Sequence, residues 1–408
     1  MRHKLFVIGV GPGDPGQLTQ AAKSAIAGAV FAAAAKRHLS LAAGCKEVLE
    51  MKDFGETFTK IDAALNRGPA AVLVSGDTGI YSLLPLVVKR FPDDDIHVIP
   101  GISSVQSLCA AARTTWADAA FLSGHGRALS ESALLDYADQ NRKTVFFCGP
   151  QWNPARVCRL LAGSGISSLR LTVGERLSYP DQKISAGTPA ELADRQYDDL
   201  SLVLIENDAP WTKPAGRPRD EEFIRTAVPM TRETVRSAIL DLLRLERDSV
   251  LWDLGAGTGS VSVAAALICD KGQVCAVEKN PEAVSLIGQN AAKFHRHNLR
   301  VLKGDNLEML PSLPQPTHVF IGGSGPELPR LLKSVSALGG GIRIAVSAVS
   351  LKTWTAAAEI LSGAEFTDFD AIQVSVSRAK KIGSTLIMAA QNSVTLFTAV
   401  SAAEKEGC

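Results

Sequence analysis

The chain has seven cysteines, Cys45, Cys109, Cys148, Cys158, Cys269, Cys275 and Cys408, and no CxxC pair among them. A zinc ribbon or a disulfide framework needs such spacing, so neither is expected, and the thiols read as small buried side chains. No metal is expected. No apolar run approaches the roughly 18 residues that cross a bilayer. Met1-Arg2-His3-Lys4 leads straight into a strand, without the longer apolar stretch and cleavage site of a signal peptide. A cytoplasmic protein with no membrane partner is therefore expected. An excess of one charge is missing too. There are 43 Lys and Arg against 42 Asp and Glu, a net charge of +1, and neither half is basic enough to make nucleic acid its main partner. No Ser-His-Asp constellation is visible.

What is present is two glycine-rich loops of different pattern, far apart in a chain of 408 residues that is too long for one ordinary core. The seam expected between them is Ala209–Arg219, where three prolines and a glycine favour a stiff, extended link. Domains are expected at residues 1–208 and 220–408, with 209–219 as linker. Asp220-Glu221-Glu222-Phe223-Ile224 reads as the start of a helix, with acids suited to its positive end.

Both parts alternate strands and helices, an α/β pattern. Leu5–Val10, Ala70–Val74, Ile96–Ile99, Ala119–Leu122, Thr144–Cys148, Leu169–Val173 and Leu200–Ile205 read as strands of the first part. Ala21–Ala35 reads as a closely packed helix leading into a strand. In the second part Val250–Leu254, Gln273–Val277, Leu299–Leu302, Thr317–Ile321 and Gly341–Ala345 read as strands. The end changes character: Phe366–Val376, Thr385–Ala390 and Val394–Val400 leave no room for helices, so these strands should pair antiparallel.

Asp253-x-Gly255-x-Gly257-Thr258-Gly259 follows a strand and opens a helix. Glycines there permit positive φ and close backbone approach, and the helix start supplies free N–H groups. Glu278, at the end of the next strand, can accept two ribose hydroxyls. The loop is GxGxG rather than GxGxxG, which disfavours a dinucleotide. Asp305, in Gly304-Asp305-Asn306, suits an adenine contact. Gly322, in Phe320–Gly325, ends the fourth strand without an amine-gripping motif and offers bare backbone to a flat ligand. Thr231 reads as the N-cap of the helix that carries Arg232 and Arg236, two candidate catalytic or substrate-facing residues. His295 and His297 flank Arg296 at a helix end and read as a solvated face.

In the first part Gly9-Val10-Gly11-Pro12-Gly13-Asp14-Pro15 also fails the dinucleotide pattern, because its prolines remove the donors a pyrophosphate needs. Val74–Ser82 and Val98–Ser104 follow strands as well, so three loops converge at the carboxyl end of a sheet, where ligands bind in open α/β folds. The candidate cofactor contacts there are Gly11, Pro12, Gly76, Asp77, Ile80, Ser103 and Ser104. His125, in Ser123-Gly124-His125-Gly126-Arg127, is a candidate base or carboxylate ligand.

The GxGPGDP loop, Ser-Gly-Asp-x-Gly-Ile-Tyr-Ser and Pro-Gly-Ile-Ser-Ser resemble the tetrapyrrole (class III) methyltransferases of corrin biosynthesis. Pro229–Arg236 together with Trp252–Ser262 resembles the decarboxylating precorrin methyltransferases of the class I fold. The resemblance implies an N-terminal bilobal class III fold followed by a C-terminal seven-stranded, Rossmann-like class I fold. It implies S-adenosylmethionine at two sites per chain and a tetrapyrrole substrate. One bridging carbon, position 5, would be methylated by the first domain. The other, position 15, would be methylated by the second, which would also remove carbon dioxide from the ring C acetate. A homo-oligomer is expected. Thr78 and Arg232 depart from the family pattern, which often has proline and lysine there.

Overall fold

A computed structural model describes residues 2–126, 129–214, 216–323 and 325–403. Arg127 of the histidine loop, Ala215 of the expected linker and Ser324 of the Phe320–Gly325 loop lie outside them. The chain divides into two compact units, Met1–Trp211 and Thr212–Cys408.

The first unit holds two five-stranded sheets. One contains β1 (Leu5–Gly9), β2 (Phe31–Ala34), β3 (Glu47–Glu50), β4 (Ala70–Val74) and β5 (Ile96–Ile99), in the order β3-β2-β4-β1-β5. All its pairings are parallel. Its central strands are continuous apolar runs because helices cover both faces of a parallel sheet. Ala32, Ala33 and Ala34 are fully buried in β2. The preceding helix ends at Gly28, so the alanine run is helix first and strand second. The second sheet contains β6 (Ala119–Ser123), β7 (Lys143–Phe147), β8 (Leu169–Glu175), β9 (Lys183–Gly187) and β10 (Ser201–Asn207), in the order β6-β7-β10-β8-β9. Only β6 and β7 run parallel; the other pairs are antiparallel.

The second unit is one seven-stranded sheet and a separate hairpin. Its strands are β11 (Val250–Leu254), β12 (Gln273–Glu278), β13 (Leu299–Lys303), β14 (His318–Ile321), β15 (Arg343–Ala348), β16 (Phe366–Val374), β17 (Ser377–Ile382), β18 (Thr385–Ala390) and β19 (Val394–Ser401). The sheet order is β13-β12-β11-β14-β15-β19-β16. Five parallel strands are followed by β19, antiparallel to both β15 and β16. β17 pairs only with β18 and forms its own two-stranded sheet. The end of the chain therefore holds four strands rather than three, and the Lys380–Gly383 turn belongs to a hairpin outside the main sheet.

The stretch expected as linker is tied at both ends. Trp211 N–H donates to the Asp139 carbonyl of the first unit at 2.8 Å. In the second unit the Pro218 carbonyl accepts from Arg236 at 2.6 Å. Asp220–Glu222 is a single 3-10 turn rather than the start of a longer helix. Asp220 is buried there because its carboxylate serves Arg236 and the N–H of Glu233. Arg296 is also buried, its Nε donating to the Phe294 carbonyl, so the segment between His295 and His297 is not a solvated face. The six described cysteines are free and buried. Among the described residues no helix is long and apolar enough to cross a membrane.

Candidate active sites

In the first unit the loops after β1, β4 and β5 meet backbone to backbone. A Cβ on Gly101 would stand 2.5 Å from the Gly76 carbonyl oxygen and 2.5 Å from Gly9 backbone atoms. Gly11 and Gly76 close a two-residue bridge, with N···O distances of 3.2 and 2.8 Å, and both take positive φ. Asp77 ties two of these loops together: one oxygen accepts from Gly79 N–H and the other from Gly101 N–H at 3.2 Å. Ser103 caps the helix Ser104–Ala111, and Gln106 reciprocates in a capping box. The proline-containing loop is held by the other lobe. Asp14 N–H donates to Ser178 Oγ at 3.0 Å, and a Cβ on Gly13 would collide with the Tyr179 ring.

These loops line a cleft of about 640 Å³ between the two sheets. Pro12, Gly76, Asp77, Ile80, Ser103, Ser104 and His125 all line it. The structure thus brings the N-terminal candidates together, with Gly11 beside them on the same loop. His125 is exposed at the cleft, its backbone N–H bonded to Ser123 Oγ. Residues of the cleft that were not singled out from the sequence include Arg37, Ser75, Tyr81, Arg176, Asp198 and Asp199. Tyr81 sits at φ +47°, a strained value for an aromatic residue. That strain falls in the loop after β4, and sequence offers no signal for it.

In the second unit β11 lies at the topological switch point, where the chain passes from one side of the sheet to the other. Ligands bind outside the carboxyl ends of strands at such points. Each glycine of the GxGxG loop has a different neighbour. A Cβ on Gly255 would meet the Gly323 oxygen at 2.5 Å, on Gly257 the Pro229 oxygen at 3.2 Å, and on Gly259 the Ile287 side chain at 2.9 Å. All three have positive φ. Gly255 therefore locks the loop onto the one after β14, which also carries Gly322. Glu278 acts as a clasp: Oε2 accepts from Gly257 N–H at 2.9 Å, and Oε1 from the N–H groups of Lys279 and Asn280. Asp305 caps the short helix that follows β13.

Three C-terminal candidates differ from expectation. Thr231 is not the helix cap; Arg232 occupies that position, and the Asp220 carboxylate takes the Glu233 N–H instead. The Thr231 carbonyl accepts from Arg236 at 2.9 Å and from Ser260 Oγ. Arg236 is 1% exposed, stacks on Phe223, and bonds Asp220, Thr231 and Pro218. Such a guanidinium is a structural tie and does not face substrate. Arg232 is half exposed and reaches Asp220 only at 3.9 Å. Asp253 is fully buried: one oxygen accepts from Ser262 Oγ–H and the other has no protein partner. Burial, above all, pushes its pKa up to about 7, with Glu278 adding to the rise and Ser262 opposing it.

The glycine loops suit S-adenosylmethionine. In the second unit Thr258 Oγ1 and Asp253 Oδ1 are buried polar atoms without protein partners behind the loop. In the first unit Gly11 and Gly76 are buried at positive φ, and a Cβ on either would meet only ordinary van der Waals neighbours, the nearest at 3.7 Å, so the loops there are less crowded than at Gly101.

A cleft at strand ends in the first unit and a glycine loop at the switch point of the second, neither of dinucleotide pattern, fit a methyltransferase built on two folds. Residues 4–193 match the tetrapyrrole (corrin/porphyrin) methylases, and residues 222–401 match the precorrin methyltransferase domain. A precorrin-6Y C(5,15)-methyltransferase (decarboxylating) from Sinorhizobium sp is 29% identical over 93% of this chain and 92% of its own length. A probable cobalt-precorrin-6B C(15)-methyltransferase (decarboxylating) from Pyrobaculum aerophilum is 40% identical over 47% of this chain and 97% of its own. A cobalt-precorrin-7 C(5)-methyltransferase from Salmonella typhimurium is 31% identical over 50% of this chain and 98% of its own. The chain belongs to the precorrin methyltransferases. Enzymes of this family take their methyl group from S-adenosylmethionine.

Proposed function

We propose that this chain methylates a precorrin at both bridging carbons, position 5 in the first unit and position 15 in the second, and decarboxylates the ring C acetate to a methyl group in the second. The observation that carries this reading is the pairing of two unrelated glycine-loop sites in one chain. Separate relatives named for the C(15) and C(5) reactions each match about half of it. S-adenosylmethionine supplies an electrophilic methyl group at each site, so the chain is read as holding two equivalents.

In the first unit Pro12, Gly76, Ser103 and Ser104 would hold the donor. The cleft volume of about 640 Å³ is in the range of a pocket for one cofactor-sized ligand, roughly 300–1,000 Å³. A tetrapyrrole would then extend along the opening, where His125 stands. In the second unit Glu278, Asp305 and the loop from Gly255 to Gly259 would hold the donor, with the bare backbone near Gly322 under the ring. Arg232 is the half-exposed cation beside that loop system. A bridging carbon of a reduced tetrapyrrole is enamine-like and already nucleophilic. The residues therefore need only align it and exclude water, for which orientation alone supplies several kcal/mol, up to about 7–11. When the acetate's carboxylate leaves as carbon dioxide, the electron pair of the broken C–C bond passes into the conjugated ring, and a proton then completes the methyl group that remains.

We also read the chain as self-associating through the β17–β18 hairpin, where Ile382, Leu386 and Met388 are exposed on an isolated two-stranded sheet. Mass spectrometry of product from precorrin and methyl donor tests the catalytic reading. Two methyl additions and one carbon dioxide loss are expected; a single methyl addition, or no decarboxylation, refutes it. Calorimetry should give two donor equivalents per chain.

A further inference from the structure

We infer that Arg37 receives a peripheral carboxylate of the tetrapyrrole in the first unit's cleft, and that His38 and Ser75 are its positioning residues. This rests on the reading of that cleft as the first methylation site. β2 and β4 are neighbours in register, with Ala34 opposite Leu73. The residues that follow them, Arg37 with His38 and Ser75, therefore meet at the carboxyl end of the sheet. Arg37 Nε donates to His38 Nε2 at 3.1 Å, and Arg37 Nη2 donates to Ser75 Oγ at 2.6 Å. Ser75 Oγ lies 2.7 Å from the same His38 nitrogen.

These contacts fix the tautomer. An arginine Nε–H can only donate, so His38 Nε2 is an acceptor and the ring proton is on Nδ1. The ring is 1% exposed. Burial, and then the charge of Arg37, lower its pKa to about 4, so it stays neutral under physiological conditions. Arg37 is thus gripped along one edge by two neutral groups that leave its charge intact. Nη1 and the second hydrogen of Nη2 remain, a fork that matches a carboxylate.

The other described arginine that lines the cleft behaves differently. Arg176 is paired with Asp181 at 2.6 Å and Asp198 at 3.9 Å. Arg37 has no carboxylate partner among the described residues, so it is the cleft arginine whose charge is left for a ligand. Its place also separates it from two of the three donor loops. β2 lies on the far side of β4 from β1 and β5, whose loops carry Pro12, Ser103 and Ser104.

The test uses the full-length chain, with methyl transfer to position 5 followed by mass spectrometry and donor affinity by calorimetry. Arg37→Gln should raise KM for the tetrapyrrole about ten- to hundred-fold, the loss expected for one charge-assisted hydrogen bond. Its kcat and donor affinity should change little, and Arg37→Lys should recover part of the loss. His38→Leu should raise KM in the same way, whereas His38→Gln, which can restore an acceptor, should not. An unchanged KM in Arg37→Gln overturns the inference, as does a donor affinity that falls as far as KM rises, which would give Arg37 to the methyl donor. Arg37 is exposed, so its variants test the idea even if His38→Leu fails to fold. If the wild-type chain forms no 5-methyl product, the reading of the cleft fails on its own account. Binding of uroporphyrin, an octacarboxylate, followed by fluorescence, then still tests Arg37: weaker binding by Arg37→Gln supports the inference, and equal binding overturns it.

Discussion

Asp253→Asn is the substitution whose effect the structure fixes most tightly. Asp253 is fully buried and its pKa stands at about 7 against an ordinary 3.8. Its folded pKa is the higher one, so between these values the native state keeps a proton that the unfolded chain has released. Stability from this group is fully present below about pH 4, falls as pH rises, and is flat above about pH 7. The gap of about three pH units at about 1.36 kcal/mol each comes to about 4 kcal/mol. Asparagine keeps the shape and cannot ionise, so the variant should lack this slope. Urea unfolding of both proteins at intervals from pH 4.5 to 8.5 reads it directly. All other titrating groups are shared, so they cancel in the difference. The variant should gain relative to wild type as pH rises to 7, and no further beyond. Parallel stability profiles would show that Asp253 ionises freely in the fold and would refute the argument.

Three further outcomes are expected. Glu278→Ala should weaken donor binding in the second unit by about ten- to hundred-fold and leave the first unaffected. Calorimetry on the intact chain checks it, and equal loss at both sites would contradict it. Arg236→Met leaves the buried Asp220 with the Glu233 N–H and only the distant Arg232 as a counter-charge, and should cost about 3–5 kcal/mol in denaturant unfolding, while Arg236→Met with Asp220→Asn, which removes the buried charge and keeps an acceptor for that N–H, should recover part of it. Gly101→Ala places a methyl group 2.5 Å from two backbones, an overpacking worth about 1–3 kcal/mol or more. It should lower thermal stability and first-site donor binding together, with second-site binding as the internal control.

The strands that carry the sites were legible because their chemistry is one-sided. β1 and β4 are unbroken apolar runs, β11 is one interrupted only by Asp253, and each ends at or next to a glycine or serine; such runs mark strands buried on both faces. β2 was hidden for the opposite reason. Alanine favours helices, and only close packing between β3 and β4 makes Phe31–Ala34 a strand. β3 and β9 lie at sheet edges, and exposed residues break up their patterns. The glycine loops announced the sites, but not the job of each glycine: Gly255 meets Gly323, which is 68 positions away. Arg232 and Arg236 look alike in sequence, and nothing there says that Asp220 claims the second. Arg37 meets Ser75 only through the strand order β2-β4, which no local motif records.

The position of β19 sets when the second unit can exist. It lies between β15 and β16, so the last of the sheet's described strands in chain order is an interior one. Until Val394–Ser401 has left the ribosome, β15 lacks a neighbour on one side and β16 has none in the main sheet. The first unit has all ten of its strands by Asn207 and can close while the rest is still being made. The nascent chain thus passes through a long interval with one finished half and one open sheet, and a truncation before Val394 would leave β16 as an unpaired edge.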